Sequence, residues 1–84
     1  MIFTFSESAR KDIAKLSKLE QTRLKKKLIY WQSLPDPLIQ AKPLTNHVAS
    51  HRFRVGSYRV LVIATNKEMK ILAVRRRKDV YKNK

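Results

Sequence analysis

The chain has 84 residues, and its 20 lysines and arginines against 6 aspartates and glutamates give a formal net charge of +14. It lacks cysteine, which excludes disulfides and thiolate-bound metals. Its longest apolar run, from Val60 to Ala64, is too short to span a bilayer. A signal peptide is not expected either, because the charged residues Glu7 and Asp12 fall where its apolar region would lie. We therefore expect one soluble, cytoplasmic domain over residues 1–84, with a polyanionic partner: nucleic acid, an acidic protein or anionic lipid.

The chain opens with a short β-rich run over residues 2–5, and a helix is predicted directly after it. Ser6 is a preferred N-cap residue, so we expect this helix to begin next to it. The apolar residues that follow recur with the spacing of one helical face: Ala9, Ile13 and Leu16.

A second helix is predicted over residues 18–34. Ser17 and Glu20 have the spacing of a capping box at its start. Pro35 and Pro37 disfavour helical geometry just before them, so the helix is expected to end there and residues 35–50 to form a loop. The stripe that faces the core is predicted to be Leu24, Leu28 and Trp31. Because this stripe is needed to cover a sheet, we expect no membrane contact.

From residue 51 onward the apolar period changes to two, which predicts three β-strands over residues 51–55, 58–65 and 69–76. Turns at residues 56–57 and 66–68 are short enough to join them into an antiparallel meander. The element order β-α-α-β-β-β indicates an α+β fold with both helices packed on one sheet face. The side chains predicted to form that face are Phe53, Val55, Tyr58, Val60, Val62, Leu72 and Val74.

The turn lengths predict a row of arginines across the other sheet face. The first turn places Arg54 opposite Arg59. The second pairs Thr65 with Met69, and this register places Arg59 opposite Arg75. The predicted row is Arg52, Arg54, Arg59 and Arg75.

Like charges that face each other across strands are destabilising, so the row favours an anionic partner. Planar guanidinium groups match phosphate oxygens with paired hydrogen bonds, which favours a phosphodiester. Two alternatives remain: solvated arginines on an open sheet face, or contacts with acidic side chains of a partner protein.

The remaining polar residues do not form the pattern of a metal site or of a Ser-His-Asp catalytic triad. The six carboxylates are scattered along the chain, so a two-metal site is not expected. His47 and His51 are interpreted as loop or strand-edge residues, and Gly56, as the single glycine, excludes a glycine-rich phosphate loop. What remains is metal-free chemistry on RNA, in which a 2′-hydroxyl attacks the neighbouring phosphate and arginines stabilise the charge that develops.

Arginine stays protonated, so proton transfer requires another group. Tyr81 follows the basic run 75–78, whose charges favour the phenolate form. The alternatives for Tyr81 are packing on the sheet or stacking on a base. The lysines at residues 25–27 are interpreted as a solvated helix face, or as a contact for an acidic partner or ribosomal RNA.

Three segments carry a family resemblance: residues 51–62 (HRFRVGSYRVLV), 71–74 (ILAV) and 77–81 (RKDVY). They resemble the RelE family of bacterial toxins, and the preceding strand and helices fit the layout of that family. RelE toxins are ribosome-dependent mRNA endonucleases that act in the ribosomal A site and are neutralised by an antitoxin encoded beside them. The resemblance implies a RelE/ParE-like fold and a metal-independent endoribonuclease without a cofactor. It also implies an acidic, RelB-like antitoxin and the ribosome, with mRNA and 16S rRNA, as partners.

The resemblance also implies site residues. Arg52 and Arg54 match two basic catalytic positions, Arg59 matches the arginine after the turn tyrosine, and Tyr81 matches the C-terminal tyrosine. A further active-site arginine falls at residue 75 or 77, and the register favours 75. The implied catalytic set is Arg54, Arg59, Arg75, Arg77 and Tyr81, and the implied RNA-binding set is Arg52, Arg54, Arg76 and Lys78; no metal site is implied.

Two features leave alternatives open. The best-known RelE toxins carry lysines at the positions of Arg52 and Arg54, so the proton acceptor is open and His51 remains a candidate. ParE toxins share the fold but act on DNA gyrase and generally lack the catalytic set, so Arg59 and Tyr81 favour the ribonuclease. The rival hypotheses are a ParE-like gyrase inhibitor and a non-catalytic RNA-binding module.

Overall fold

The computed structural model describes residues 2–76 of the chain. The elements are β1 (Ile2–Phe5), α1 (Glu7–Ala14), α2 (Lys18–Ser33), a 3-10 helix (Pro37–Gln40), β2 (Lys42–Pro43), β3 (His51–Val55), β4 (Tyr58–Ala64) and β5 (Glu68–Arg76). The strands form one five-stranded mixed sheet in the order β1-β5-β4-β3-β2. Among the helices of residues 2–76, none is long and apolar enough to cross a membrane.

Both α-helices begin where the sequence predicts. The Ser6 hydroxyl accepts a hydrogen bond from the Ala9 backbone N–H at 3.0 Å and donates one to the Leu72 carbonyl at 2.9 Å. The capping box of α2 is complete, since Ser17 and Glu20 each accept a hydrogen bond from the other's backbone N–H. The caps therefore define both helix starts, and the first also ties α1 to β5.

The segment predicted as a loop, residues 35–50, contains two short elements. The Asp36 carboxylate caps the 3-10 helix, and Pro37 occupies its first turn, where a missing N–H costs nothing. Strand β2 pairs antiparallel with β3, with Lys42 opposite Arg52. Pro43 is tolerated in β2 because this strand lies at the edge of the sheet. The loop prediction was wrong for these residues because the prolines were interpreted only as breakers.

The N-terminal strand makes the sheet mixed. Strands β3, β4 and β5 form the predicted antiparallel meander. Strand β1 adds parallel to β5, with Phe3 opposite Met69 and Phe5 opposite Ile71. A parallel pair requires a long crossover connection, which the helices and the first hairpin of the meander provide. As a result, α1 lies beside β5.

The predicted arginine register is confirmed. Arg54 lies opposite Arg59, and Arg59 lies opposite Arg75. The turn before β4 contains Gly56 at a φ of 57°, a left-handed conformation that glycine adopts without steric cost. The two-residue turn therefore sets the register of the first hairpin as expected.

The far end of the β4–β5 ladder is shifted by one residue from the prediction. Met69 lies opposite Ala64 and not opposite Thr65, because β5 contains a β-bulge in which Leu72 is the extra residue. The bulge changes the alternation of β5, so Ile71 is buried with 1% exposure while Leu72 is only half-buried. The predicted place of Leu72 on the helix-side face was therefore wrong.

The core lies between the helices and one face of the sheet, as predicted. Trp31 of α2 stacks on Phe53 of β3 with ring centroids 4.0 Å apart, and both side chains are nearly fully buried. The other buried residues of this core are Ala9, Leu24, Val55, Val60, Val62, Met69, Ile71 and Val74. The opposite face, which carries Arg54 and Arg59, is thereby left free of the helices.

Candidate functional site

A small cavity brings together three of the predicted arginines. It has a volume of about 190 Å³, and its lining residues are Gln40, Lys42, Arg52, Phe53, Arg54 and Arg59. We call it the arginine cavity. The described lining holds four cationic side chains and no carboxylate. Its charge therefore favours an anionic ligand.

Arg59 is the most buried of these arginines, with 5% exposure, whereas Arg54 is exposed. Arg59 lies on β4, between β3 and β5, and its Nη1 atom lies 3.5 Å from the Tyr58 carbonyl oxygen. Burial among neighbouring strands restricts the conformers of a long side chain. Arg59 is therefore a preorganised donor, and such a donor stabilises developing charge without first having to be ordered.

Arg75 does not line the arginine cavity, although its backbone lies opposite Arg59. Asp12 of α1 holds it: one carboxylate oxygen accepts a hydrogen bond from Arg75 Nη1, and the other accepts one from the Val74 backbone N–H at 3.0 Å. Arg75 lines a separate cavity of about 260 Å³. The residues of that cavity are Asp12, Lys15, Leu16, Tyr58, Val74, Arg75 and Arg76.

Arg76 also lies apart from the arginine cavity. Its guanidinium carbon lies 5.9 Å from the centre of the Tyr58 ring. The nearby Tyr58 hydroxyl, the Ser17 backbone N–H and the charge of Arg76 lower the pKa of Glu20. Arg76 therefore contributes to the contact between the start of α2 and β4.

Three predicted site residues, Arg77, Lys78 and Tyr81, lie outside the described residues. Both histidines occupy the positions expected of them. His47, in the loop before β3, accepts a hydrogen bond from the Ala49 N–H at 2.9 Å. His51, the first residue of β3, is hydrogen-bonded to the Ser50 hydroxyl at 2.9 Å.

Sequence reasoning did not assign Asp12, Gln40 or Lys42 to a site. Asp12 reaches Arg75 because the parallel β1–β5 pairing brings α1 beside β5. Gln40 and Lys42 lie in the segment interpreted as a loop. Of these three residues, only Lys42 had a local sequence signal: it precedes Pro43, and proline within a strand is typical of an edge strand.

Solved structures with a similar fold include several RelE toxins and their complexes. A chain of the RelB–RelE antitoxin–toxin complex from Methanococcus jannaschii has a TM-score of 0.76 and 20% identity, covering 95% of this chain and 96% of that one. A chain of the RelBE2 toxin–antitoxin complex from Mycobacterium tuberculosis has a TM-score of 0.73 and 25% identity, covering 90% and 96%. The isolated E. coli RelE toxin has a TM-score of 0.69 and 21% identity, covering 98% and 92%.

The chain has the RelE toxin fold. The resemblance found in the sequence is thereby confirmed, and so is the expected α+β, RelE-like architecture. No protein-family model and no curated protein sequence matches the chain. On this RelE fold, the arginine cavity lies on β3 and β4 beside the short edge strand β2, and its arginines project from the sheet face opposite the helices.

Proposed function

We propose that this protein is the toxin of a toxin–antitoxin system and that it cleaves translated mRNA in the ribosomal A site. The arginine cavity is the observation that carries the proposal. Arg52, Arg54 and Arg59 surround one small space on a fold shared with RelE toxins. Guanidinium groups arranged in this way match the oxygens of a phosphodiester.

The reaction requires charge stabilisation and proton transfer. The 2′-hydroxyl oxygen of the substrate attacks the adjacent phosphorus, its proton passes to a base, and the bond to the 5′-oxygen breaks as that oxygen takes up a proton. The products are a 2′,3′-cyclic phosphate and a 5′-hydroxyl. We assign Arg54 and Arg59 to the non-bridging oxygens and Arg52 to the RNA backbone, because all three line the cavity. No metal ion or cofactor enters these steps.

The remaining roles fall to residues outside the described range. Asp12 binds Arg75, which favours Arg77 over Arg75 as the further active-site arginine. Tyr81 transfers a proton or stacks on a base, and Lys78 adds a contact to the RNA backbone.

The proposed partners follow from charge and from the similar structures. A net charge of +14 suits both the ribosome, with its mRNA and 16S rRNA, and an acidic antitoxin. Several of the similar structures are complexes of a RelE toxin with a RelB antitoxin. We propose that a RelB-like antitoxin neutralises this protein in the cytoplasm, where translated mRNA is found.

The test is mRNA cleavage in a cell-free translation reaction with purified protein. Arg59→Ala is expected to lower the cleavage rate by about 100-fold, the usual effect of removing one preorganised donor. Arg10→Ala removes an exposed arginine from α1 and serves as the matched control. Equal activity of Arg59→Ala and Arg10→Ala would refute the assignment of the site.

Tyr81→Phe separates catalysis from binding. Loss of cleavage with RNA binding retained would support the nuclease, and wild-type cleavage by Tyr81→Phe would remove Tyr81 from proton transfer. If the wild-type protein leaves translated mRNA intact but inhibits DNA supercoiling by gyrase without a ribosome, it is a ParE-like inhibitor.

A further inference from the structure

A second basic depression runs along α2, beside the arginine cavity. It has a volume of about 710 Å³, and its lining residues are Arg23, Lys26, Lys27, Tyr30, Gln40, Val55 and Gly56. We call it the α2 groove. None of the catalytic roles proposed above uses its four α2 residues.

The two depressions adjoin each other. Gln40 lines both of them. Arg54 and Val55 are consecutive residues of β3 and project to opposite faces of the sheet, so the two depressions lie on either side of β3 and meet at Gln40. The arginine cavity, at about 190 Å³, is smaller than typical ligand pockets, which begin at about 300 Å³. A polynucleotide bound there therefore continues beyond the cavity, and Gln40, which lines both depressions, is where we infer that it turns from one sheet face to the other.

The side chains of the groove suit a single strand of nucleic acid. Arg23, Lys26, Lys27 and Tyr30 are spaced by three, one and three residues, so they lie on one face of α2. Tyr30 is 47% exposed, and the Lys27 ammonium lies 5.8 Å from the centre of its ring. Proteins that bind single strands combine a cationic groove, which follows the phosphates, with exposed aromatic rings on which bases stack.

We propose that the α2 groove binds the single-stranded RNA that extends from the phosphate in the arginine cavity. Arg23, Lys26 and Lys27 contact its backbone phosphates, and Tyr30 stacks on one of its bases. This inference rests on the proposed function, which assigns RNA to the arginine cavity. Continuity with a phosphate site and an exposed aromatic ring favour RNA over an acidic protein segment, which is tested as a competing occupant.

Two neighbouring lysines provide a matched pair of variants. Lys25 and Lys26 are both exposed on α2 and lose the same charge on substitution by alanine, but only Lys26 lines the groove. The probes are a trinucleotide and an oligonucleotide of about 12 nucleotides, both of 2′-O-methyl RNA so that they are not cleaved. Fluorescence anisotropy over a range of salt concentrations gives Kd and its salt dependence.

The wild-type protein is expected to bind the longer RNA more tightly than the trinucleotide. Tyr30→Ala is expected to weaken binding of the longer RNA by about 10-fold, the loss of one stacked base. Lys26→Ala is expected to lower the slope of log K against log salt by about 0.7, which corresponds to one phosphate contact. Lys25→Ala should change the slope much less, and all three variants should bind the trinucleotide like the wild type.

The inference and the proposed function fail in different ways. If Arg59→Ala weakens binding of both RNAs, but Lys26→Ala and Lys25→Ala bind the longer RNA equally, the α2 groove does not bind RNA and the arginine cavity keeps its role. If Arg59→Ala binds both RNAs like the wild type, the arginine cavity is not the phosphate site, and the inference falls with it. If Lys26→Ala loses affinity for polyglutamate but not for RNA, the groove binds acidic protein segments.

Discussion

Replacement of Asp12 by alanine is expected to destabilise the fold by about 3 kcal/mol. The Asp12 side chain is 9% exposed and accepts hydrogen bonds from the Val74 backbone N–H and from Arg75. An unsatisfied buried N–H costs about 1–3 kcal/mol. The ion pair adds about 1 kcal/mol at most, because the Arg75 side chain is 37% exposed and screened by water.

Asp12→Asn separates the two contributions. The amide oxygen still accepts a hydrogen bond from the Val74 N–H, while the charge facing Arg75 is lost, so we expect a loss of only about 1 kcal/mol. In a domain of this size 1 kcal/mol lowers Tm by about 4–8 °C, so Tm should fall by about 15 °C for alanine and about 5 °C for asparagine.

Thermal unfolding followed by circular dichroism measures both variants. A double-mutant cycle with Arg75→Ala should give a coupling energy of about 1 kcal/mol. If Asp12→Ala and Asp12→Asn lose the same amount of stability, the hydrogen bond to the Val74 N–H does not contribute more than the ion pair with Arg75. If both variants are as stable as the wild type, neither contact stabilises the fold and the reasoning is refuted.

Three other substitutions test the fold by urea unfolding. Because the folded state lowers the pKa of Glu20, the stability that Glu20 adds is present above its ordinary value of 4.5 and is lost as the pH falls below it. Glu20→Gln should therefore lose less stability on acidification; an unchanged pH dependence would contradict this. Phe53→Ala removes the partner of Trp31 and should cost about 3–5 kcal/mol, and a loss below about 1 kcal/mol would contradict tight packing. Gly56→Ala should cost about 1–2 kcal/mol, because alanine is strained at the positive φ of this turn. The added Cβ atom would meet nothing within 4 Å, so no steric clash contributes, and an unchanged stability would contradict the turn geometry.

Local signals were sufficient to predict the helices and the meander. Ser6 and Ser17 act through hydrogen bonds to residues three positions away, so both helix starts can be identified from short stretches of sequence. The turn before β4 consists of two residues, which leaves few registers for Arg54 and Arg59.

Long-range pairing was not predictable in the same way. Strand β1 joins β5 across more than 60 residues, and no local pattern shows that its partner is parallel. The bulge at Leu72 lies in a continuous apolar run, where no alternation reveals that one residue is extra. Both features depend on how β5 fits between β1 and β4.

The candidate site was predictable where it depends on the meander. Arg52, Arg54 and Arg59 lie on two strands joined by a short turn, and they line one cavity. Arg75 was assigned to the same row from its backbone register, but Asp12 determines where its guanidinium lies. Register determines which face a residue occupies, whereas the direction of a long side chain depends on partners from distant elements.

The most direct test of the central claim is to map the 5′ ends of one mRNA by primer extension in a cell-free translation reaction. The same message with a disrupted start codon serves as the untranslated control. The account predicts new 5′ ends within codons of the translated message and none in the control. Equal cleavage of both messages would contradict action on the ribosome, and intact translated message would contradict the nuclease itself.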